Sequence, residues 1–98
     1  MRVRWTPLAT FALNDAAEYI ALDNPAAACA LVKHVKKSVA ALSRFPGQGR
    51  AGRIAGTREF IPGKYPYIIA YRIQKRSVVI LDLIHTARLW PESFPSEE

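Results

Sequence analysis

The segment Ser77-Val78-Val79-Ile80-Leu81-Asp82-Leu83-Ile84-His85 is the most apolar stretch of the 98-residue chain. A short, nearly continuous apolar run of this kind is typical of a strand in the middle of a sheet. The preceding residues, Tyr67 to Ile73, are rich in β-branched and aromatic side chains, and Gln74-Lys75-Arg76 between the two segments is polar. The pattern predicts a β-hairpin with Ser77 to His85 as its central strand.

Two helices are predicted upstream of this hairpin, and both begin with the same signal. Thr6-Pro7 and Asn24-Pro25 each combine a side chain that can cap a helix with a proline, which suits the first helical position. Apolar residues spaced three and four apart predict a first helix from Leu8 to Leu22 and a second from about Pro25 to Arg44. Phe45-Pro46-Gly47 ends the second helix. The link between the helices is short, so we expect an antiparallel helical hairpin.

Two further strands complete the predicted fold. Arg2 to Thr6 alternates basic and apolar residues, and Thr57 to Ile61 precedes the turn dipeptide Pro62-Gly63. The predicted order is β-α-α-β-β-β, an α+β fold in which the N-terminal helical hairpin packs on one face of a small antiparallel sheet. We expect a single domain over residues 1–91, followed by an acidic C-terminal tail over residues 92–98.

The composition excludes several classes of protein. Half of the residues are apolar, which argues against intrinsic disorder, yet no apolar run approaches the ~20 residues of a membrane-spanning helix. The first residues contain no apolar signal region. A single cysteine, Cys29, excludes an internal disulfide, and its alanine-rich surroundings predict a small buried thiol. The glycine-rich loop from Gly47 to Gly56 matches no phosphate-binding motif, so we interpret it as a connector. We expect a cytoplasmic protein without a cofactor or metal ion.

Positive charge is concentrated in the second half of the chain. The net charge is +6, yet residues 1–23 carry two basic and three acidic side chains. From residue 44 to residue 76, Glu59 is accompanied by eight basic residues, namely Arg44, Arg50, Arg53, Arg58, Lys64, Arg72, Lys75 and Arg76. This asymmetry favours an acidic partner, either nucleic acid or an acidic protein segment. The alternative is a solvated basic face that maintains solubility.

Six short motifs are spread over nearly the whole chain. They are Trp5-Thr6-Pro7, Asp23-Asn24-Pro25-Ala26-Ala27-Ala28, Arg44-Phe45-Pro46-Gly47-Gln48-Gly49-Arg50, Gly56-Thr57-Arg58-Glu59, Pro66-Tyr67-Ile68-Ile69-Ala70-Tyr71-Arg72 and Ile84-His85-Thr86-Ala87-Arg88-Leu89-Trp90-Pro91. In this order they resemble the RelE/ParE superfamily of toxins from type II toxin–antitoxin systems. The resemblance implies one of two activities. RelE-type members are ribosome-dependent endonucleases that cut mRNA, whereas ParE-type members inhibit DNA gyrase. Both are silenced by a cognate antitoxin that covers the functional surface.

The nuclease alternative requires an acid, a base and stabilisation of the charged phosphorane. The residues that would supply them are His85, Arg72, Arg58, Glu59 and Arg88, with Lys64 and Tyr71 as further candidates. Two departures weaken this alternative. Ile68 stands where the nucleases carry a catalytic arginine, and the chain ends in Trp90-Pro91 and an acidic tail rather than in a catalytic tyrosine. His85 has a structural alternative, a bond to the sheet or to the turn at Arg88.

The sequence therefore favours a ParE-type gyrase inhibitor neutralised by a ParD-like antitoxin. We expect the antitoxin to lay an amphipathic helix or an extended segment across the helical hairpin and the sheet edge. Candidate target- or antitoxin-binding residues are Arg50, Arg53, Arg58, Lys64, Arg72, Arg88 and Trp90. A decayed homologue that only binds antitoxin is a third possibility.

Several of the same residues also have structural explanations. Tyr65, Tyr67 and Tyr71 alternate and are expected to share the face that packs against the helices. Arg58 and Glu59 are expected to form an ion pair across strands, and Arg88 to stack on Trp90.

Overall fold

The computed structural model describes residues 1–95 of the chain. Its helices and strands are β1 (Arg2–Trp5), α1 (Pro7–Ala21), α2 (Pro25–Arg44), β2 (Arg50–Ala51), β3 (Arg58–Phe60), β4 (Tyr67–Gln74) and β5 (Ser77–His85), with a short 3-10 helix over Pro46–Gln48. This is the predicted order with one addition. The short strand β2 lies in the glycine-rich loop that the sequence indicated as a connector.

Both predicted helix starts are confirmed by their capping hydrogen bonds. The Thr6 hydroxyl accepts a hydrogen bond from the Ala9 amide at 3.1 Å, and the Asn24 side chain accepts one from the Ala27 amide at 3.1 Å. The Thr6 hydroxyl also donates to the Leu81 carbonyl at 3.1 Å. The start of α1 is thereby fixed to the central strand.

The sheet has the strand order β1-β5-β4-β3-β2. The hairpin of β4 and β5 forms its centre, as predicted, and β3 and β2 extend it in antiparallel fashion. The expected antiparallel sheet has one exception, β1, which pairs with β5 in parallel. The physical reason lies at Thr6, whose amide bonds to the Ile80 carbonyl while its side chain bonds to Leu81. These contacts align β1 with β5 as the chain enters α1.

The main core lies between the helical hairpin and the sheet. The predicted apolar stripe of α2, formed by Leu31, Val35, Val39 and Leu42, is buried there. It packs with Ala9, Leu13 and Ala16 of α1 and with Ile69, Tyr71, Val78, Ile80 and Leu83 of the sheet. Tyr65 and Tyr67 also pack against this core, so the predicted shared face of the three tyrosines is confirmed.

A second, smaller core covers the opposite face of the sheet. Ala70, Val79 and Leu81 are buried there beneath Trp90 and Phe94. The chain after β5 therefore folds back across the sheet. Packing continues to Phe94, inside the predicted tail 92–98, and residues 96–98 lie outside the described part of the chain.

A β-bulge in the central hairpin sets the position of a buried carboxylate. Ala70 pairs with Asp82 whereas Tyr71 pairs with Ile80, so Leu81 is an additional residue in β5. The bulge leaves Ile80 facing the helices and turns Asp82 toward the face that carries Ala70. This placement brings Asp82 beneath the segment that follows β5.

Two smaller expectations were that the Cys29 thiol on α2 is buried and that no segment spans a membrane. Cys29 is exposed on α2, so the predicted buried thiol is wrong. The buried stripe of α2 runs through Ala28 and Leu31, which turns Cys29 to the outside of the hairpin. Within residues 1–95, no helix is long and apolar enough to cross a membrane.

Candidate protein-binding site

A groove of about 560 Å³ lies between α1 and one end of the central hairpin. One wall is the outward side of α1, and the other is formed by Tyr67, Leu83, His85 and Arg88. The helix contributes residues at spacings of three and four, among them Leu8, Phe11, Asp15, Tyr19 and Leu22. Such spacing places these side chains in one row along the helix.

The α1 wall of this groove is an exposed apolar surface. Phe11, Tyr19 and Leu22 are 66%, 74% and 82% exposed. Large apolar side chains that are grouped along one side of a helix and remain in contact with water are typical of binding surfaces for other proteins. The chain itself covers none of these three within its described residues, so the groove is suited to an external apolar segment.

Charged groups border the groove on both sides. Asp15 and Glu18 lie on the helix wall, and His85 and Arg88 lie on the sheet wall. Burial raises the pKa of Tyr67, and the nearby Asp15 and Tyr19 raise it further. The Tyr67 hydroxyl therefore remains protonated at neutral pH and available as a hydrogen-bond donor within the groove.

His85 is held in a turn at the groove's edge. Its Nδ1 accepts a hydrogen bond from the Ala87 amide at 3.0 Å, and its carbonyl accepts one from the Arg88 amide at 3.0 Å. Its ring meets Tyr67 edge-on at 5.2 Å between centroids. Because Nδ1 is an acceptor, the neutral ring carries its proton on Nε2. These contacts match the structural alternative for His85.

Arg88 is paired with the buried carboxylate of β5. Its guanidinium lies 3.2 Å from Asp82 Oδ2, and Asp82 Oδ1 accepts a hydrogen bond from the Leu83 amide at 2.8 Å. Burial raises the pKa of Asp82, while the charge of Arg88 and the two hydrogen bonds oppose that rise. Arg88 thus anchors the chain after β5 and also reaches the groove.

A second arginine cluster surrounds Glu59, which is 2% exposed. The carboxylate contacts the Arg50 guanidinium at 3.2 Å and the Arg53 guanidinium at 3.6 Å, and it accepts a hydrogen bond from the Arg53 amide at 2.8 Å. The Arg53 guanidinium also lies 4.0 Å above the Trp90 ring. The cluster fastens the glycine-rich loop to the sheet and to the chain after β5.

Two predicted contacts are therefore corrected. Arg58 does not pair with Glu59, because neighbouring residues of a strand point to opposite faces. Its guanidinium donates instead to the Gly49 carbonyl at 2.8 Å. The cation above Trp90 is Arg53 rather than Arg88.

The remaining basic candidates lie elsewhere. Lys64 is exposed in the turn between β3 and β4. Arg72 is half-buried on β4, opposite Val79 and on the face away from the helices. Tyr71 is fully buried, and its hydroxyl donates to the Pro46 carbonyl at 2.7 Å and accepts from the Gly49 amide at 2.8 Å.

The candidate nuclease residues do not converge on one point. Arg58 pairs with Tyr71 and His85 with Tyr67, positions four residues apart on β4, or about 13 Å at the usual rise of a strand. Glu59 is engaged by two guanidinium groups and an amide. Arg72 faces away from Arg58, since the two occupy opposite faces of the sheet. Within residues 1–95, no group of three or more His, Cys, Asp or Glu side chains could hold a metal ion.

The sequence interpretation missed the apolar wall of the groove. The spacing of apolar residues predicted the helix but not which of its sides is buried, and the residues buried on α1 are Ala9, Leu13 and Ala16. The available signal was the width of the apolar arc, since α1 carries more large apolar residues than one buried face requires.

Comparison with known proteins agrees with this geometry. Residues 3–90 match the family model described as "ParE toxin of type II toxin-antitoxin system, parDE". The chain is 43% identical over 91 residues to the Sinorhizobium fredii (strain NBRC 101917 / NGR234) protein named "Putative toxin Y4kP", a match that covers 93% of this chain and 94% of that protein. A solved structure of the chromosomal ParDE TA system from P. aeruginosa superposes with a TM-score of 0.77 at 24% identity, over 87% of this chain and 95% of that one, which confirms the fold. The chain therefore belongs to the ParE toxin family of type II toxin–antitoxin systems.

Proposed function

We propose that this chain inhibits DNA gyrase in the cytoplasm and is held inactive by a cognate ParD-like antitoxin. The observation that carries the proposal is the exposed apolar groove along α1 in a chain whose residues 3–90 match the ParE toxin family. A toxin that acts through protein contacts needs such a surface, whereas a nuclease needs a cluster of acid–base groups.

The antitoxin segment that fits this groove is an amphipathic helix. Its apolar residues would pack on Phe11, Tyr19 and Leu22, which remain in contact with water in the free toxin. An acidic side chain on one flank would meet Arg88, and a basic one on the other would meet Asp15. An extended continuation of the segment would pair with an edge of the sheet, where β1 and β2 are the outer strands.

The arginine cluster around Glu59 is a second proposed contact surface. The Arg50 and Arg53 side chains are 57% and 53% exposed although both are paired with Glu59. Their outer N–H groups are available to an acidic or aromatic partner, and Trp90, whose ring lies beneath the Arg53 guanidinium, belongs to the same proposed surface. Arg58, Lys64 and Arg72 remain proposed contacts of the target or the antitoxin on the basis of charge.

Gyrase is favoured over the ribosome as the target for two reasons. Ile68, at the position where nuclease members of the superfamily carry arginine, is buried opposite Ile84. An arginine there would place an unpaired charge in an apolar layer. The candidate catalytic residues are also divided between the two faces and different levels of the sheet.

Two assays on the purified toxin test this proposal. In one, the toxin is added to gyrase and relaxed plasmid, and supercoiling is followed; in the other, it is added to translating ribosomes, and mRNA ends are mapped by primer extension. We expect loss of supercoiling and no cuts linked to codons. Codon-linked cuts with unaffected supercoiling would contradict the proposal.

A further inference from the structure

A cluster of exposed basic residues lies at the tip of the β4–β5 hairpin, far along the sheet from the α1 groove. Arg2, Lys75 and Arg76 line one cavity together with Met1 and Ser77. The Arg2 amide donates to the Arg76 carbonyl at 3.1 Å, which joins the first strand to the hairpin tip. We call Arg2, Arg44, Lys75 and Arg76 the basic end.

Arg44 reaches the same end through the C-terminus of α2. Ser43 donates from its hydroxyl to the Met1 carbonyl at 2.6 Å, so the last turn of α2 is held beside the start of β1. All four side chains of the basic end belong to exposed residues. The last turn of α2, the start of β1 and the hairpin tip thus lie at the same end of the molecule.

Acidic residues do not neutralise the basic end within the described chain. No Asp or Glu of residues 1–95 lines its cavity. Asp15 and Glu18 lie at the α1 groove, while Glu59 and Asp82 are held by Arg50, Arg53 and Arg88. The positive charges therefore remain available to an external anion.

The backbone at the tip gives an independent sign of function. Gln74 pairs with Ser77, so Lys75 and Arg76 form a two-residue hairpin turn, and Lys75 has a φ of 50°. Turns of this kind favour glycine or asparagine at such a position, because a Cβ is unfavourable there. Lys75 therefore adopts a sparsely populated backbone conformation at the exposed tip, and such conformations cluster at functional sites.

We propose that the basic end binds the phosphate backbone of duplex DNA. Apart from Met1, the described residues that line its cavity are polar or charged, and Phe45, which follows Arg44, is a single exposed ring rather than a row of rings or an apolar centre. A protein partner would need an apolar centre, and a single strand would need aromatic rings on which bases can stack. A duplex needs only a set of cations facing its phosphates. The choice of DNA over duplex RNA rests on the proposed gyrase target, whose substrate is DNA.

The test measures binding of the purified toxin to a short fluorescent DNA duplex over a series of salt concentrations. Gyrase is absent, so failure here is distinct from failure of the gyrase proposal. With four phosphates neutralised, the logarithm of the binding constant should fall against the logarithm of salt with a slope of roughly −3.6. Lys75→Gln with Arg76→Gln should make the slope shallower by about 2. The matched control, Lys36→Gln with Lys37→Gln on the exposed side of α2, removes the same charge and should leave the slope unchanged.

A single substitution separates binding from folding. Lys75→Gly suits the positive φ, so the thermal midpoint should not fall, while the salt slope should become shallower by about 1. Equal effects of the hairpin pair and the α2 pair would overturn the proposal. Unchanged DNA affinity in Lys75→Gly would also overturn it, as would tighter binding of duplex RNA than of duplex DNA. A variant with Lys75→Gln and Arg76→Gln that binds DNA normally but no longer binds the antitoxin would overturn it as well.

Discussion

At the scale of single residues, Tyr71 connects the loop after α2 to the sheet. Its ring is buried in the main core while its hydroxyl bonds to Pro46 and Gly49. Burial raises the pKa of Tyr71, against the opposing effects of the Gly49 amide and Arg58, so the hydroxyl stays a donor. A Cβ at residue 49 would overlap that hydroxyl, which explains the glycine there.

Removing this hydroxyl should destabilise the fold. Tyr71→Phe leaves the buried Gly49 amide and the partly buried Pro46 carbonyl without this partner, so we expect a loss of about 1–3 kcal/mol in the free energy of unfolding. Urea denaturation followed by circular dichroism measures it. Tyr19→Phe is the matched control, because Tyr19 is 74% exposed, and it should change stability little. Equal stability of the two variants would contradict the role given to Tyr71.

Asp82 should make stability depend on pH. Its pKa in the folded chain lies above the ordinary 3.8 because burial disfavours the charge. As pH rises above 3.8, the unfolded chain ionises first, so the wild type loses stability relative to Asp82→Asn until the folded-state pKa is passed. Arg88→Gln should enlarge this loss, since Arg88 lowers the pKa of Asp82. Denaturation of the three proteins over a pH series checks the sign of this change in stability. A wild type whose stability increases relative to that of Asp82→Asn as pH rises would refute it.

His85 should be dispensable for toxicity. Its ring nitrogen is used in a turn at the groove, and a gyrase inhibitor needs no acid–base group there. We expect His85→Ala to retain most growth arrest, whereas a nuclease that used His85 would lose about 10²–10⁴-fold in activity. Growth curves after induction at matched toxin levels measure this. Abolished arrest with a stably folded protein would favour the nuclease alternative.

Sequence patterns predicted which face a residue occupies better than which partner it meets. Strand alternation placed Tyr67 and Tyr71 correctly toward the helices. The partners of Glu59 and Trp90 were not predictable, because Arg53 reaches both only after the glycine-rich loop folds back on the sheet.

At the scale of elements, α1 uses two sides for two purposes. Small residues, Ala9 and Ala16, let it approach the sheet closely together with Leu13. The large apolar residues Phe11, Tyr19 and Leu22 remain outside. The caps and the spacing predicted the helix itself. They did not predict which arc of the helix is buried, since that depends on how α1 packs against the sheet and α2.

The outer arc of α1 should carry antitoxin binding. Phe11→Ser should weaken antitoxin affinity by about 2 kcal/mol or more, the usual effect of truncating a central interface aromatic. Phe45→Ser is a close control, since Phe11 and Phe45 are 66% and 65% exposed and Phe45 does not line the groove. Calorimetric titration of each toxin variant with the antitoxin measures the difference. Equal losses in both variants would place the antitoxin elsewhere.

At the scale of the whole molecule, the fold organises charge in a way that the sequence alone does not reveal. The excess of basic residues from Arg44 onward was evident in the sequence. In the fold, however, Arg50, Arg53 and Arg88 form ion pairs with buried carboxylates. It then gathers Arg2 and Arg44 with the hairpin tip. The order of elements was predicted from caps and periodicity. The direction of β1 was not, because it depends on contacts between residues distant in the chain.

The central claim, inhibition of gyrase by an antitoxin-controlled toxin, is tested most directly by trapping cleaved DNA. Supercoiled plasmid is incubated with gyrase and increasing toxin, the proteins are denatured and digested, and linear plasmid is quantified. We predict linear DNA that increases with toxin and disappears when the antitoxin is added in equal amount. No linear DNA and no loss of supercoiling, at toxin concentrations that arrest growth, would contradict the claim.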